Sequence, residues 1–247
     1  MLGTGPAYPH PMGAPVDEDT RARELVAAER KAVALFDEVA RRGIIAAGES
    51  ERVVSDRVRD LAHELFGVER HWHKRVVRAG PHTLAPYKEN PPDRVIEPDD
   101  IVFLDLGPIF TDWEADVGRT FVLGDDPVKQ RLRDDLPRIF AAGRAHFDAR
   151  PDISGAELYA HVVGLAEEAG WEFGGAHSGH LVGEFPHELV DGERIDSYIA
   201  PGSNHPMRRT DPSGRRCHWI LEVHLVDRER AIGGFLEQLL TLDSSEG

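Results

Sequence analysis

The stretch IVFLDLGPIFTDWEADVGRTFVLG, residues 101–124, decides the fold. It opens with an apolar run at 101–107 and closes with a second one at 117–124, both containing the β-branched and aromatic residues typical of strands. The intervening polar residues predict an antiparallel pair. Such pairing would bring Asp105, in the first run, and Asp116, just before the second, to one point. On their own, two Asp residues at strand ends also suit turns or caps.

Helical periodicity surrounds this strand pair on both sides. Four segments carry apolar residues at steps of three and four, which places those residues on one helix face. The segments cover about residues 20–43, 50–66, 126–146 and 154–169. Pro137 predicts a disturbance in the third, and Ser154 with Glu157 predicts a capping box on the fourth. Residues 171–242 read mostly as strands and loops, so two helices followed by strands occur twice and indicate an α+β fold with two similar halves.

Length and composition predict one globular domain. The 247 residues are 40% apolar, which is enough for a genuine core. The Gly- and Pro-rich residues 1–16 are predicted to be a flexible tail, and residues 17–247 a single domain. Cys217 is the only cysteine, which excludes a disulfide within the chain and favours a reducing compartment. We interpret it as an ordinary thiol.

Charge and hydropathy argue against two classes of partner. Forty-four acidic and 29 basic residues give a net charge of −15, which repels phosphate backbones and anionic lipid surfaces. No segment approaches the length of an apolar membrane span, and the first fifteen residues lack the basic start and apolar run of a secretory signal. We therefore expect a cytoplasmic protein that binds neither nucleic acid nor membranes.

Three further candidate metal ligands lie downstream. His180 lies in SGHLVGEFPHE, and Glu222 interrupts the apolar run WILEVHLV. Burying an unpaired carboxylate is costly, so a cation is the expected compensation. Glu237 repeats the pattern in GGFLEQLLTL, although a half-exposed strand would also fit it, and a packed core histidine would fit His180. With Asp105 and Asp116 they form a mostly oxygen ligand set, suited to two divalent ions of Mn, Co, Fe or Zn.

These segments resemble a known superfamily. In chain order, DLG, ADVGRTF, SGHLVGEFPHE, LEVH and GGFLEQ look like the Asp, Asp, His, Glu, Glu ligand motifs of the methionine aminopeptidase, aminopeptidase P, prolidase and creatinase superfamily. The eleven-residue step from Asp105 to Asp116 and the seven-residue step from His180 to His187 match its spacing. The resemblance implies the pita-bread fold, a curved antiparallel sheet flanked by helices in pseudo-twofold halves, with two metals in its hollow. It also implies a homodimer.

The resemblance implies a role for each matching residue. Asp105 would chelate one ion, Asp116 and Glu237 would bridge, and His180 and Glu222 would complete the second ion. Glu222 would also carry the proton of the attacking water. His187 would donate a hydrogen bond to the substrate carbonyl or its developing oxyanion. The interval from Glu222 to Glu237 is shorter than the superfamily pattern, which implies a trimmed hairpin.

Other histidines are interpreted less directly. Alignment puts Pro86 where the superfamily carries a histidine, and His82 is our candidate substitute as a substrate contact, with an exposed loop histidine as the alternative. His224 shares a strand face with Glu222, so it is either a substrate contact or a packed core residue. HWH at residues 71–73 has no evident third ligand and is interpreted as a surface strand.

The segment DVGRTF bears on the substrate. It resembles aminopeptidase P and prolidase more than methionine aminopeptidase, which implies a proline after the scissile bond. We therefore predict a dinuclear metallopeptidase that hydrolyses Xaa-Pro or N-terminal peptide bonds of short peptides through a metal-bridging water. Two alternatives stay open: a metal-dependent hydrolase of a small non-peptide amide, as in creatinase-like members, and a non-catalytic binding protein on the same fold. The complete ligand set favours an enzyme.

Overall fold

The structure, a computed structural model, describes residues 16–185 and 195–242. Its helices are α1 at Glu18–Arg41, α2 at Glu51–Phe66, α3 at Pro127–Asp148 and α4 at Gly155–Glu168. The capping box of Ser154 and Glu157 opens α4 as predicted, and α3 continues through Pro137, where the missing N–H removes one helical hydrogen bond. In the part of the chain that is described, none of the helices has the length and apolarity needed to cross a bilayer.

The strands form one main antiparallel sheet. They are β1 at Val76–Ala79, β2 at Ile101–Leu106, β3 at Ile109–Phe110, β4 at Trp113–Glu114, β5 at Val117–Val122, β6 at Glu172–Phe173, β7 at Leu181–Val182, β8 at His218–Asp227 and β9 at Ile232–Leu239, with short 3₁₀ helices at Gly80–Leu84 and Ile195–Ser197. The sheet order is β1-β2-β5-β9-β8-β6, with β7 also paired to β8, while β3 and β4 form a separate ribbon. The predicted strand pair within residues 101–124 is confirmed as β2 and β5.

Two apolar clusters pack helices onto this sheet. One joins α1 and α2 to the sheet through residues such as Leu35, Val58 and Leu104. The other joins α3 and α4 to it through residues such as Leu136 and Val162. Burying each such side chain contributes roughly 1.5 to 3 kcal/mol, so the helix pairs hold the sheet in place. Helices packed on an antiparallel sheet confirm the α+β fold class.

Successive side chains of β2 alternate between the apolar core and the candidate site. Val102 and Leu104 belong to the cluster with α1 and α2. Successive side chains of a strand point to opposite faces, so Phe103 and Asp105 lie on the other face of the sheet. That face carries the polar residues of the candidate site.

Candidate metal centre

Three carboxylates form a single row across neighbouring strands. Asp105 in β2 opposes Gly118 in β5, Gly118 opposes Glu237 in β9, and Glu237 opposes Glu222 in β8. The register therefore puts the three acids side by side. Gly118 leaves the second place in the row empty: a Cβ there would lie 2.5 Å from the ring of Phe235 and 3.2 Å from the Cβ of Glu237. The glycine thus keeps the space between the carboxylates open.

Asp116 and His180 join this row from strand ends. Asp116 precedes Gly118 by two residues, so it lies on the same face of its segment. His180 immediately precedes β7, and its backbone oxygen accepts a 3.0 Å hydrogen bond from Ile220 of β8. Its Nε2 lies 3.2 Å from Oδ2 of Asp116 and 3.8 Å from Oε1 of Glu222. All five predicted ligands therefore lie together on the sheet.

A sixth side chain, His73, lies among these ligands. Its Nε2 is 3.1 Å from Oδ1 of Asp116 and 3.4 Å from Oδ1 of Asp105, and its side chain is only 8% exposed. The side chains form two groups that could each bind a metal ion. One is His73 with Asp105 and Asp116, and the other is Asp116 with His180 and Glu237. The interpretation of HWH as a surface strand is therefore wrong for His73.

Long-range pairing explains why His73 is buried. The backbone N–H of Trp72 donates to the oxygen of Gly107 at 2.9 Å, and His71 forms an isolated β-bridge with Pro108. These contacts place the tripeptide against the end of β2, next to Asp105. A pattern of alternating histidines gives no information about this partner segment, which lies more than thirty residues away in the sequence.

Burial outweighs the compensating charge of nearby histidines at the carboxylates of the row. Burial raises the pKa of the Asp105 carboxyl to about 7 and that of Glu222 to about 8. Burial also raises the pKa of Glu237 well above its usual range, and the neighbouring Asp116 adds to the shift. The pKa of Asp116 moves the other way: burial would raise it, but His73 and His180 together lower it below its usual value.

The donor set fits divalent cations. Oδ1 of Asp105 and Oε2 of Glu237 are buried and accept no hydrogen bond from any residue within 16–185 or 195–242. Buried anionic oxygens without partners are costly, and a cation between them removes that cost. Carboxylates with imidazoles suit Mn, Fe, Co or Zn. Asp105, Asp116, His180 and Glu237 belong to groups whose ligand atoms are close enough to hold such ions, and Glu222 would join them from 3.8 Å beside His180.

Tyr87, the neighbour of Pro86, is directed at the cluster. Its ring centroid lies 6.0 Å from that of His73. Burial raises the pKa of the Tyr87 phenol, and the charges of Asp105 and Asp116 raise it further, so the ring lies within their electrostatic range. The Nζ of Lys74 donates to the backbone oxygen of Tyr87 and thereby anchors this loop. Pro86, which the sequence alignment matches to the superfamily histidine, directly precedes this aromatic side chain.

His177 is another residue that the sequence reasoning did not single out. Its Nδ1 lies 3.5 Å from Oε1 of Glu222, and its ring packs against Tyr198 at 4.9 Å. Burial lowers the pKa of His177 to about 4, so its ring is neutral at physiological pH. Its position three residues before His180, in AHSGH, was a sequence signal that it lies near the ligands.

The remaining predicted site residues lie elsewhere. Nδ1 of His82 is 3.0 Å from both carboxylate oxygens of Glu51 in α2, so its partner is a helix residue and not a member of the metal cluster. His224 packs between aromatic rings, and its Nε2 donates to the backbone oxygen of Thr83 at 2.9 Å, as expected for the packed-core alternative. His187 lies outside the described residues, so its role stays a prediction.

Comparison with curated proteins identifies relatives of the chain. The Xaa-Pro dipeptidase of Pyrococcus horikoshii is 28% identical over 193 residues, which cover 74% of this chain and 54% of that protein. The Xaa-Pro dipeptidase of Pyrococcus furiosus is 29% identical over 181 residues, covering 72% of this chain and 50% of that protein. The chain thus spans about half the length of the curated relatives it matches.

Solved structures share the fold of this chain, and a family model matches most of its sequence. The prolidase of Thermococcus sibiricus superposes with a TM-score of 0.64 at 22% identity, covering 92% of this chain and 59% of that one. The methionine aminopeptidase of Thermotoga maritima superposes with a TM-score of 0.66 at 17% identity, covering 93% of this chain and 99% of that one. These similarities confirm the predicted pita-bread fold. Because the model of metallopeptidase family M24 matches residues 23–211, which is most of the sequence, the chain belongs to that family.

Proposed function

We propose that the chain is a peptidase that depends on two divalent ions and hydrolyses Xaa-Pro bonds, or the N-terminal bond, of short peptides. The observation that carries this proposal is the convergence of four carboxylates on one face of the sheet, where two buried oxygens have no hydrogen-bond donor among residues 16–185 and 195–242. The two relatives named Xaa-Pro dipeptidases support the substrate class.

In the proposed reaction the ions and the side chains have separate tasks. Two bound divalent ions would supply a water of lowered pKa and would polarise the scissile carbonyl. Glu222 lies beside the other carboxylates, with Oε1 3.8 Å from Nε2 of His180, so its carboxylate is placed to exchange a proton with a water at the centre. In our proposal it takes the proton of the attacking water and delivers it to the leaving amine. Neutral His177 lies beside this carboxylate, with Nδ1 3.5 Å from Oε1 of Glu222.

Two aromatic residues would shape the substrate site. The Trp72 ring packs edge-on against the rings of His73 and His180, with ring centroids 4.5 and 5.5 Å apart, and so forms one wall beside them. Tyr87 is half exposed beside the cluster, so it can touch a peptide that lies over the ions. We propose that His187 donates to the substrate carbonyl, as the superfamily resemblance implies.

The test begins with metal content. The purified chain is stripped with a chelator, reloaded with Mn, Co, Fe or Zn, and assayed against Gly-Pro, Ala-Pro, Ala-Ala and a tripeptide that begins with Met. We expect reloaded protein to cleave the proline dipeptides and stripped protein to cleave none of the four. Cleavage of the Met peptide alone would overturn the proline preference, and cleavage of small non-peptide amides alone would favour the creatinase-like alternative. Protein that binds no ion and hydrolyses nothing would refute the enzyme proposal.

The homodimer stays a prediction as well. Size-exclusion chromatography with light scattering measures the molar mass directly, and a value near the 27.4 kDa of one chain would refute it.

A further inference from the structure

His73 and His180 have matching geometry around Asp116. Nε2 of His73 lies 3.1 Å from Oδ1 of Asp116, and Nε2 of His180 lies 3.2 Å from Oδ2. Each ring also places Nδ1 at 2.7 Å from the backbone oxygen of the next residue, Lys74 in one case and Leu181 in the other. The two imidazoles therefore contact the same carboxylate, and each is oriented by a hydrogen bond to the backbone oxygen of the next residue.

The backbone contacts define which nitrogen faces the acids. A carbonyl oxygen only accepts hydrogen bonds, so Nδ1 carries the hydrogen in both rings. In a neutral ring the lone pair is then on Nε2, the atom directed at the carboxylates. Metal-binding histidines commonly donate their other N–H to a backbone carbonyl in this way, which orients the ring for coordination. His73 meets this condition as fully as His180 does.

The distances also fit one coordination sphere. Ligand atoms about 2.1 Å from an ion are about 3.0 Å apart at octahedral angles and about 3.4 Å apart at tetrahedral angles. Nε2 of His73 lies 3.1 Å from Asp116 and 3.4 Å from Asp105, within this range. Hydrogen bonding leaves part of the arrangement unexplained, because Oδ1 of Asp105 has no donor within the two described stretches.

The surrounding chain makes room for the His73 ring. A Cβ on Gly107 would lie 2.2 Å from Cδ2 of His73 and 2.5 Å from Nε1 of Trp72, so only a glycine allows both rings to approach. Nε1 of Trp72 in turn donates to the backbone oxygen of Ala115, next to Asp116. These contacts fix the ring at the end of β2.

We propose that His73 is a sixth protein ligand of the metal centre and binds through Nε2 the ion that Asp105 and Asp116 hold. The inference rests on the proposed dinuclear centre and adds a residue to it. Each ion then has one imidazole, His73 on one side and His180 on the other. Imidazole favours Fe, Co or Zn over the oxygen-preferring Mn, so the second imidazole shifts the metal preference of the centre towards those ions.

Metal titration of variants tests the assignment. Wild type, His73→Ala and His71→Ala are stripped and titrated with Co(II), with calorimetry for affinity and visible absorption for the ligand field. His71 is the matched control because the charges acting on its ring come from Arg75 and His73, not from the acids of the centre. We expect two ions in wild type. For His73→Ala, one of the two binding steps should weaken by about 100-fold or more, by comparison with the 10- to 100-fold effect of residues that only orient ligands.

The absorption of that same step should change in His73→Ala, and added imidazole should restore it. His71→Ala should match wild type in both readouts. Wild-type affinities and spectra in His73→Ala would overturn the proposal while leaving the dinuclear peptidase intact. Absence of ion binding by wild type itself would instead refute the proposed function.

A measurement on the unaltered protein covers the case in which His73→Ala does not fold. Proton NMR of the Co(II)-loaded chain shows strongly shifted, solvent-exchangeable Nδ1–H signals only from histidines bound to the ion. The proposal requires two such signals, from His73 and His180. A single signal at full loading with two ions would overturn it.

Discussion

Two adjacent rows on the same sheet face behave in opposite ways. The carboxylate row is Asp105, Glu237 and Glu222, and the aromatic row, two residues along the same strands, is Phe103, Phe235 and His224. Rings of the aromatic row contact one another at 5.4 to 6.0 Å, and the His224 N–H has a backbone acceptor. The carboxylate row instead contains two buried oxygens without donors in the described parts of the chain.

The difference shows what each row requires. Both rows occupy the same strands in the same register, so backbone geometry does not distinguish them. The aromatic row is satisfied by the protein alone and stabilises the sheet, whereas the carboxylate row would be satisfied by the cations of the proposed metal centre. Changes in the carboxylate row should therefore alter metal binding and catalysis, and changes in the aromatic row should alter stability alone.

Glu222→Gln should have the largest effect. The amide cannot carry the proton of the attacking water, and general acid–base residues typically contribute roughly 10²- to 10⁴-fold to rate. We expect kcat on a proline dipeptide to fall within that range, with weaker metal binding, because an anionic ligand is lost. Steady-state kinetics with saturating Mn or Co measures this. Glu229→Gln, an exposed change in the turn after β8, is the control and should match wild type.

Metal removal should affect stability next most strongly, and more so at high pH. Binding at a thousand times Kd stabilises a protein by about 4 kcal/mol. In the stripped chain, burial raises the pKa of Glu222 to about 8; burial would lower the pKa of His180, but Asp116 raises it to about 9. A buried acid with a raised pKa destabilises increasingly as pH rises towards that value, and a histidine with a raised pKa loses its stabilising charge as pH rises through 9.

Both shifts act in the same direction. The melting temperature of stripped protein should therefore fall between pH 6.5 and 9, while that of reloaded protein should stay higher and vary less. Thermal melts at several pH values compare the two forms. A stripped protein whose melting temperature rises over this interval would contradict the raised pKa of the buried Glu222 carboxyl.

The carboxylate row could be predicted from sequence because its signal is local. Asp105, Glu222 and Glu237 each interrupt an apolar run, and a charged residue in a buried strand is visible without knowing its neighbours. The strand pair of residues 101–124 was also predictable from a local signal, its two apolar runs with β-branched residues. The half-exposed alternative for Glu237 is wrong, since this residue is only 2% exposed. Alternation along one strand does not show whether other elements cover its polar face.

The histidines could not be assigned in that way. His73 reaches the carboxylates because its segment pairs with residues 107–108, which periodicity around HWH does not reveal. His82 lies near the expected position in the chain, but Glu51 of α2 binds its ring. Where a loop histidine points depends on such distant partners, so motif spacing alone reveals neither the Glu51 partner of His82 nor the position of His73 beside the carboxylates.

Gly118→Ala tests the boundary between the two rows. The added Cβ would lie 2.5 Å from the Phe235 ring and 3.2 Å from the Cβ of Glu237, so both rows must shift. Overpacking of this kind costs about 1 to 3 kcal/mol, and displacement of Glu237 should also weaken metal binding. Chemical denaturation and Co(II) titration measure the two effects. Gly164→Ala is the control, since a Cβ at Gly164 in α4 meets no atom within 4 Å. A Gly118→Ala protein with normal metal affinity would show that the rows are not coupled.

His224→Gln should have the smallest effect and gives the sharpest contrast with Glu222→Gln. The two residues are neighbours on one strand face, but His224 donates to Thr83 and packs against Phe103. Glutamine can keep the hydrogen bond and loses only ring packing, so the free energy of unfolding should fall by about 1 kcal/mol. Metal affinity and kcat should stay unchanged in the folded protein. A change in KM for proline dipeptides would instead show that His224 contacts the substrate and that the aromatic row is part of the active site.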